Sequence, residues 1–218
     1  MTNLEFSSQF DIFYNNISSN AAPPVDEYEK SVFLTKAQKD VVLGIYNGRE
    51  IPGVSFESTE EARRYISNLV KEYITSPQDN ESDIIHIPYD LWFIVKESAI
   101  LTDSNSCIEG KEVSVVPVRY DYFNKSMSNP FRQPNGLRVL RTDIEGGMKL
   151  YSKYTIKQYK VIYIKTPEPI ITEPLDMNLT IEGKTESTTD VNEALHKFIL
   201  ERAVYLAKEA YIGNQNSK

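Results

Sequence analysis

The chain has 218 residues, 40% of them hydrophobic and 25% charged, a composition suited to one or two globular domains. With 24 Lys plus Arg against 31 Asp plus Glu the formal net charge is -7, which excludes a uniformly basic nucleic-acid binder. The single cysteine, Cys107, excludes an intrachain disulfide, and two histidines with one cysteine are too few for a zinc site built on those residues alone.

The first segment reads as helix: Phe6, Phe10, Phe13 and Ile17 recur at three- and four-residue spacing with Tyr14 alongside. Ser18-Ser19-Asn20 and Pro23-Pro24 end it. So short and aromatic a helix must bury its face against the rest of the chain or a neighbour. A second helix is expected over residues 26–46, capped by Asp26 and ended by Gly48, with Glu27 and Glu29 in its first turn. Thr35-Lys36-Ala37-Gln38 matches a capping box and predicts a bend or fresh start near Thr35. A third helix starts at a capping box formed by Ser58 and Glu61. It carries an apolar stripe of Ala62, Tyr65, Ile66, Leu69, Val70 and Tyr73, and closes at Pro77 and Asp79-Asn80.

From residue 84 the period becomes strand-like. Residues 84–87 and 91–95 are short apolar runs, and 112–122, 148–155 and 158–165 are rich in β-branched and aromatic residues. Turn signals at 103–105, 109–110, 129–130, 134–136 and 146–147 separate the runs. Three prolines in residues 166–174 predict an edge strand or extended arm rather than a central strand. Thr189 or Asp190 caps a last helix carrying Ala194, Leu195, Phe198, Ile199, Ala203, Leu206 and Ala210, with Gly213 as its stop.

The expected class is α+β: a helical module of residues 1–80 with 188–213, a β-rich insertion over 81–187 as a sheet or barrel-like body, and a frayed tail at 214–218. No internal repeat is seen. No base precedes Lys30, so a secretory n-region is missing, and no uncharged apolar run approaches the roughly 20 residues of a membrane span. A soluble, unexported chain with no membrane partner is expected.

Catalytic patterns are sparse. His86 and Asp90 are four apart, a pairing used in general base catalysis, but Pro88 between them removes the helical geometry. Cys107 lies in a polar stretch without a nearby histidine, and His196 sits alone on the last helix as a packing residue. The acid pairs Asp26-Glu27, Glu60-Glu61 and Glu81/Asp83 have the residue types of metal or glycosidase carboxylates, but the first two fall at helix starts, where capping and the helix dipole explain them. No Walker A, Rossmann glycine pattern, EF-hand or nucleophile elbow occurs. The expectation is no enzyme, with no catalytic, metal or cofactor-binding residue.

Charge zoning says more. Residues 1–112 carry 9 bases and 19 acids, residues 113–165 carry 10 and 3, and residues 166–218 carry 5 and 9. Lys149, Lys153 and Lys157 share one strand parity with Tyr151 and Thr155, and Arg119, Lys125, Arg132, Arg138 and Arg141 surround the neighbouring turns. Such a surface fits a solvated sheet face, a protein contact or single-stranded nucleic acid, and the sequence leaves all three open. Fourteen tyrosines against nine phenylalanines and one tryptophan suit surfaces that are wet at one moment and buried at another.

Leu4-Glu5-Phe6-Ser7-Ser8-Gln9-Phe10-Asp11, Tyr14-Asn15-Asn16-Ile17 and the run from Asp26 through Gln38 resemble the start of the ring or adaptor proteins at the head-to-tail junction of tailed bacteriophages, especially the crAss-like group. Asn129-Pro130-Phe131-Arg132-Gln133-Pro134 and the His196–Ala210 stretch resemble the same family. The resemblance implies a non-enzymatic virion subunit made in the bacterial host cytoplasm. It implies a ring of twelve copies stacked between portal and further tail rings, with packaged DNA passing through its channel. Two rival expectations remain: a nucleic-acid-binding module using residues 119–165, and a virion hydrolase gathering His86, Asp90 or Cys107 in a cleft.

Overall fold

The computed structural model of the chain describes residues 1–17, 24–48, 56, 59–77, 84–103, 108–176 and 178–216. It is α+β with a β-rich middle, and forms two compact units: Met1–Leu69 with Thr166–Lys218, and Val70–Lys165. Residues 166–187, assigned from sequence to the β-rich insertion, therefore lie in the helical unit, whereas residues 70–77 lie with the strands.

In the helical unit, α1 (Asn3–Ile17) packs on α5 (His196–Asn216) and buries Phe6, Phe10 and Tyr14 of its expected aromatic face. Phe13 is only half-buried, and the Ile17 side chain lies outside those described. Phe6 and Phe10 are fully buried and Tyr14 nearly so. Each phenylalanine contributes roughly 2 kcal/mol of burial. On α5 the buried stripe is Ile199, Leu200, Ala203, Val204, Leu206 and Ala207, while Phe198, assigned to the apolar face from sequence, points to solvent. Gly213 does not stop α5, which continues to Asn216; glycine permits a left-handed cap without requiring one.

Helix α2 (Glu27–Asn47) starts as expected: Asp26 accepts from the Glu29 N–H in a full capping box, and Gly48 closes it in the left-handed region at φ 69°. The predicted restart at Thr35 does not occur. Thr35 and Gln38 have another task, as rungs for the Pro-rich segment after Lys165. Thr35 Oγ1 donates to the Ile170 carbonyl and accepts its N–H, at 3.3 and 3.1 Å. Gln38 Nε2 donates to the Glu168 carbonyl (2.7 Å), and the Thr172 N–H donates to Ser31 Oγ (3.0 Å). The segment is thus no projecting arm or edge strand but a strap across α2 with Ile170 and Ile171 buried beneath it. Side chains spaced four and three apart satisfy a backbone that belongs to no strand.

Helix α3 (Glu60–Ile66) is shorter than its apolar stripe suggested. Thr59 caps it, accepting from the Ala62 N–H; the proposed cap Ser58 and the stop at Asp79-Asn80 lie outside the described residues. After one 3-10 turn, Val70 and Tyr73 belong to strand β1 (Val70–Thr75), which pairs antiparallel with residues 159–164. That pairing outweighs helix propensity in a β-branched stretch.

The second unit is a seven-stranded sheet. After β1 come β2 (Ile84–His86), β3 (Leu91–Thr102), β4 (Lys111–Pro117), β5 (Arg138–Ile144), β6 (Gly147–Tyr151) and β7 (Thr155–Lys165). Their spatial order is β1-β7-β3-β4-β5-β6-β2. All neighbours are antiparallel except β4 and β5, whose parallel pairing requires a crossover. Helix α4 (Tyr120–Ser128) supplies it, where the sequence pattern had suggested strand to residue 122. Ile85, Ala99, Val113, Val139, Leu150 and Val161, from six strands, share one apolar core, so the sheet curls around its own interior.

Candidate functional site

The residues that sequence singled out for chemistry do not converge. His86 is exposed on β2, opposite Gly147. Asp90 turns instead to Lys71 at 2.8 Å and accepts from the Tyr163 hydroxyl at 3.0 Å. Burial alone would raise the Asp90 carboxyl, but these two donors outweigh it and hold the pKa below the usual carboxylate range. Cys107, Glu81 and Asp83 lie outside the described residues.

His196 is buried at the start of α5. Its Nδ1 is 2.8 Å from the Met1 amino group, its Nε2 is 3.2 Å from the Val191 carbonyl, and its ring packs 5.1 Å from Phe6. Desolvation, then the charge of the amino terminus, lowers its pKa. Asp26 and Glu60 do structural work: Asp26 caps α2 and Glu60 pairs with Arg64 at 2.6 Å. Among the described residues no group of three or more His, Cys, Asp or Glu is placed to hold a metal ion. Nor is any described helix long and apolar enough to cross a membrane.

The basic residues separate into distinct environments. Lys149, Lys153 and Lys157 do not form one strand face, because the chain leaves β6 after Tyr151 and enters β7 at Thr155. Strands β5, β4 and β3 lie between those two in the sheet. Lys149 instead covers the Tyr151 ring at 5.6 Å, and Lys153 the Tyr154 ring at 5.8 Å.

Arg141 is no surface cation at all. Its side chain is 9% exposed and pairs with Glu97, itself 5% exposed, at 2.7 Å. Asp143 takes a second guanidinium nitrogen, and Tyr159 donates to Glu97 at 2.6 Å. Burial, reinforced by the Glu97 charge, pushes the Tyr159 hydroxyl strongly up, so it stays protonated and donating.

What remains exposed is the β4-to-β5 crossover, residues 118–137. Tyr120, Tyr122, Met127, Phe131 and Leu137 all present apolar surface, and Phe131 is 87% exposed. Sequence reasoning noted the bases and turns here but not Phe131 or Leu137 as a surface. Their only sequence signal is that each sits inside a turn motif, where no core can receive it.

The turns hold these side chains out by local bonding. Asn129 Oδ1 accepts the Phe131 N–H and Asn135 Oδ1 accepts the Leu137 N–H, both at 2.9 Å, as Asx turns do. Arg138 donates to the Phe131 carbonyl at 3.1 Å. Gly136 admits the Ile108 side chain, which would stand 3.0 Å from a Cβ there. A shallow groove of 410 Å³ runs beside Pro117, Tyr122, Arg132 and Arg138. Arg119 and Lys125 flank the Tyr122 ring at 5.6 and 5.2 Å. An exposed, pre-ordered surface of aromatic, aliphatic and cationic groups suits docking on a macromolecule better than turnover of a small one.

Comparison with known proteins agrees with the resemblance drawn from the N-terminal residues. A family model described as phage tail ring protein 3/4 matches residues 1–218. "Ring protein 3" of Bacteroides phage crAss001 is 46% identical over 218 residues, covering 95% of this chain and 95% of that protein. "Ring protein 4/5" of the same phage is 35% identical over 230 residues, covering 96% and 93%. With the match running the whole length of both units, the chain belongs to the phage tail ring protein 3/4 family of the crAss-like phages.

Proposed function

We propose that the chain is a structural subunit of a closed homo-oligomeric ring at the head-to-tail junction of a phage. The ring has twelve copies, joins the portal to further tail rings, and continues the channel through which DNA passes. The observation that carries this reading is the 46% identity to "Ring protein 3" across 95% of both chains. The exposed apolar side chains of both units, Ile12 and Phe198 on the helices and Phe131 and Leu137 on the crossover, support it. A chain that stayed monomeric would leave these groups in water. No catalytic chemistry is assigned to the subunit, and the virion in a bacterial host is its place.

The test is native mass spectrometry with electron microscopy of the purified chain, alone and mixed with a portal protein from the same genome. Rings whose mass is an integral multiple of 25.0 kDa, seated on the portal, are expected. A chain that remains monomeric at every concentration and never joins the portal overturns the reading.

A further inference from the structure

The crossover surface has a chemical counterpart on the same chain. Beyond the strap, residues 173–176 and 178–187 belong to an excursion folded back on itself, largely exposed apart from Ile181: the Leu175 N–H donates to the Thr185 carbonyl at 2.9 Å, and residues 181–184 form its turn. Residues 173–187 carry four carboxylates and one base. Glu182 is engaged by Lys39, and the one base, Lys184, by Glu168. Glu173, Asp176 and Glu186 are exposed and have no ion pair among the described residues. Leu179, 44% exposed, stands among them. The crossover inverts this pattern: Phe131 and Leu137 are its apolar anchors, and Lys125 and Arg132 are exposed cations with no carboxylate paired to them among the described residues.

We infer that the crossover of one copy docks on the 173–186 excursion of the next copy, through Phe131 and Leu137 against Leu179 and through Lys125 and Arg132 against Glu173 and Asp176. This rests on the ring reading above and deepens it by naming the surface on which copies meet. Two different patches of one chain, each unable to pair with itself, make a heterologous contact, the kind that closes into rings. Like charges at crossover-to-crossover or excursion-to-excursion encounters oppose the wrong assemblies. A nucleic acid fits the crossover less well. Arg119 is already paired with Asp121, Arg138 is turned to the Phe131 carbonyl, and Phe131, 87% exposed, is apolar. A polyanion would leave Leu137 and Met127 in contact with phosphate or solvent.

The experiment reverses charge on each side separately. Variant one is Lys125→Glu with Arg132→Glu; variant two is Glu173→Lys with Asp176→Lys. All four residues are exposed, and circular dichroism with thermal melting verifies that each variant keeps its fold. Native mass spectrometry at one fixed concentration is expected to show the ring fraction falling about tenfold or more in each variant alone. The quadruple variant regains rings, because both partners are reversed. So does an equimolar mixture of the two, but only as rings of even copy number in strict alternation, since each variant then meets only the other.

Rings undiminished in either variant overturn the inference and leave the ring reading standing. So does loss in both without recovery in the mixture and the quadruple variant. A wild-type chain that forms no ring under any condition overturns the ring reading itself. Single-stranded DNA binding by gel shift that variant one abolishes while its rings persist assigns the crossover to nucleic acid instead.

Discussion

The two units place their polar side chains for different ends. In the helical unit the buried polar groups bind chain segments far apart in sequence: Ser31, Thr35 and Gln38 hold the strap more than 120 residues away. Lys30, 4% exposed, ties α2 to α1 by bonding Asp11 at 2.7 Å, while Glu27 of its own helix neutralises it at the same distance. In the sheet unit one buried ionic group, Arg141 with Glu97, sits beside an apolar core. The helical unit is therefore a clasp whose polar contacts decide connectivity. The sheet unit is a platform built on one apolar core, and it carries the exposed crossover.

This contrast breaks most sharply at Arg141. Replacing it with Met leaves Glu97 buried without its counter-charge, at a cost of about 3–5 kcal/mol, read as the midpoint of urea unfolding. The double change Arg141→Met with Glu97→Leu removes both charges and recovers most of that loss. A double variant no better than the single one would mean that the pair does more than balance its own burial.

Lys30→Met strikes the clasp. Burial would depress the Lys30 ammonium, but the bonds to Asp11 and Glu27 prevail and raise its pKa, so the charge persists at neutral pH. Asp11 and Glu27 keep side-chain exposures of 47% and 31%, so solvent softens the loss to about 2 kcal/mol. The smaller Thr35→Val keeps the shape but strands the Ile170 N–H and carbonyl, costing about 1–2 kcal/mol. Its signature is local: hydrogen exchange rises at Ile170 and Thr172 before it rises in the sheet. Uniform acceleration across both units would contradict a clasp confined to the helices.

These two regions were unequally legible in the sequence. The helix starts and stops at Asp26 and Gly48, and the buried face of Phe6, Phe10 and Tyr14, depend on neighbours within a few residues, and periodicity reads such features directly. The strap is different. Thr35 and Gln38 look like a capping box because Ser, Thr and Gln serve either a local N–H or a distant one, and only the fold decides which. Strand β1 continues a helical stripe because Val70 and Tyr73 fit both periods until β7 pairs with them. Strand β5 escaped notice because Arg138 and Arg141 interrupt its pattern, and Arg141 reads as a surface cation until Glu97 is seen 44 residues away. As for the candidate surface, the bases of the crossover were visible, whereas Phe131 and Leu137 became so only when the Asx turns showed them held outward.

The mildest test separates the units by pH. Tyr163, at the edge of the sheet core, donates to Asp90; desolvation first, then that hydrogen bond and the Asp90 charge, push its pKa up to about 12 from the ordinary 10.0. A folded pKa above the unfolded one means a contribution that is fully present below pH 10 and lost as pH rises toward 12. Asp90 works in the opposite sense: its carboxyl is depressed by the donors around it, so its share is present at neutral pH and lost in acid. In the sheet, then, one hydrogen bond fails at both ends of the pH scale. Tyr163→Phe is expected to flatten part of the decline in unfolding midpoint between pH 10 and 12, and to leave hydrogen exchange along α2 and α5 unchanged. An undiminished alkaline slope in the variant would assign the loss to Tyr159, whose hydroxyl is raised by the same causes around Glu97.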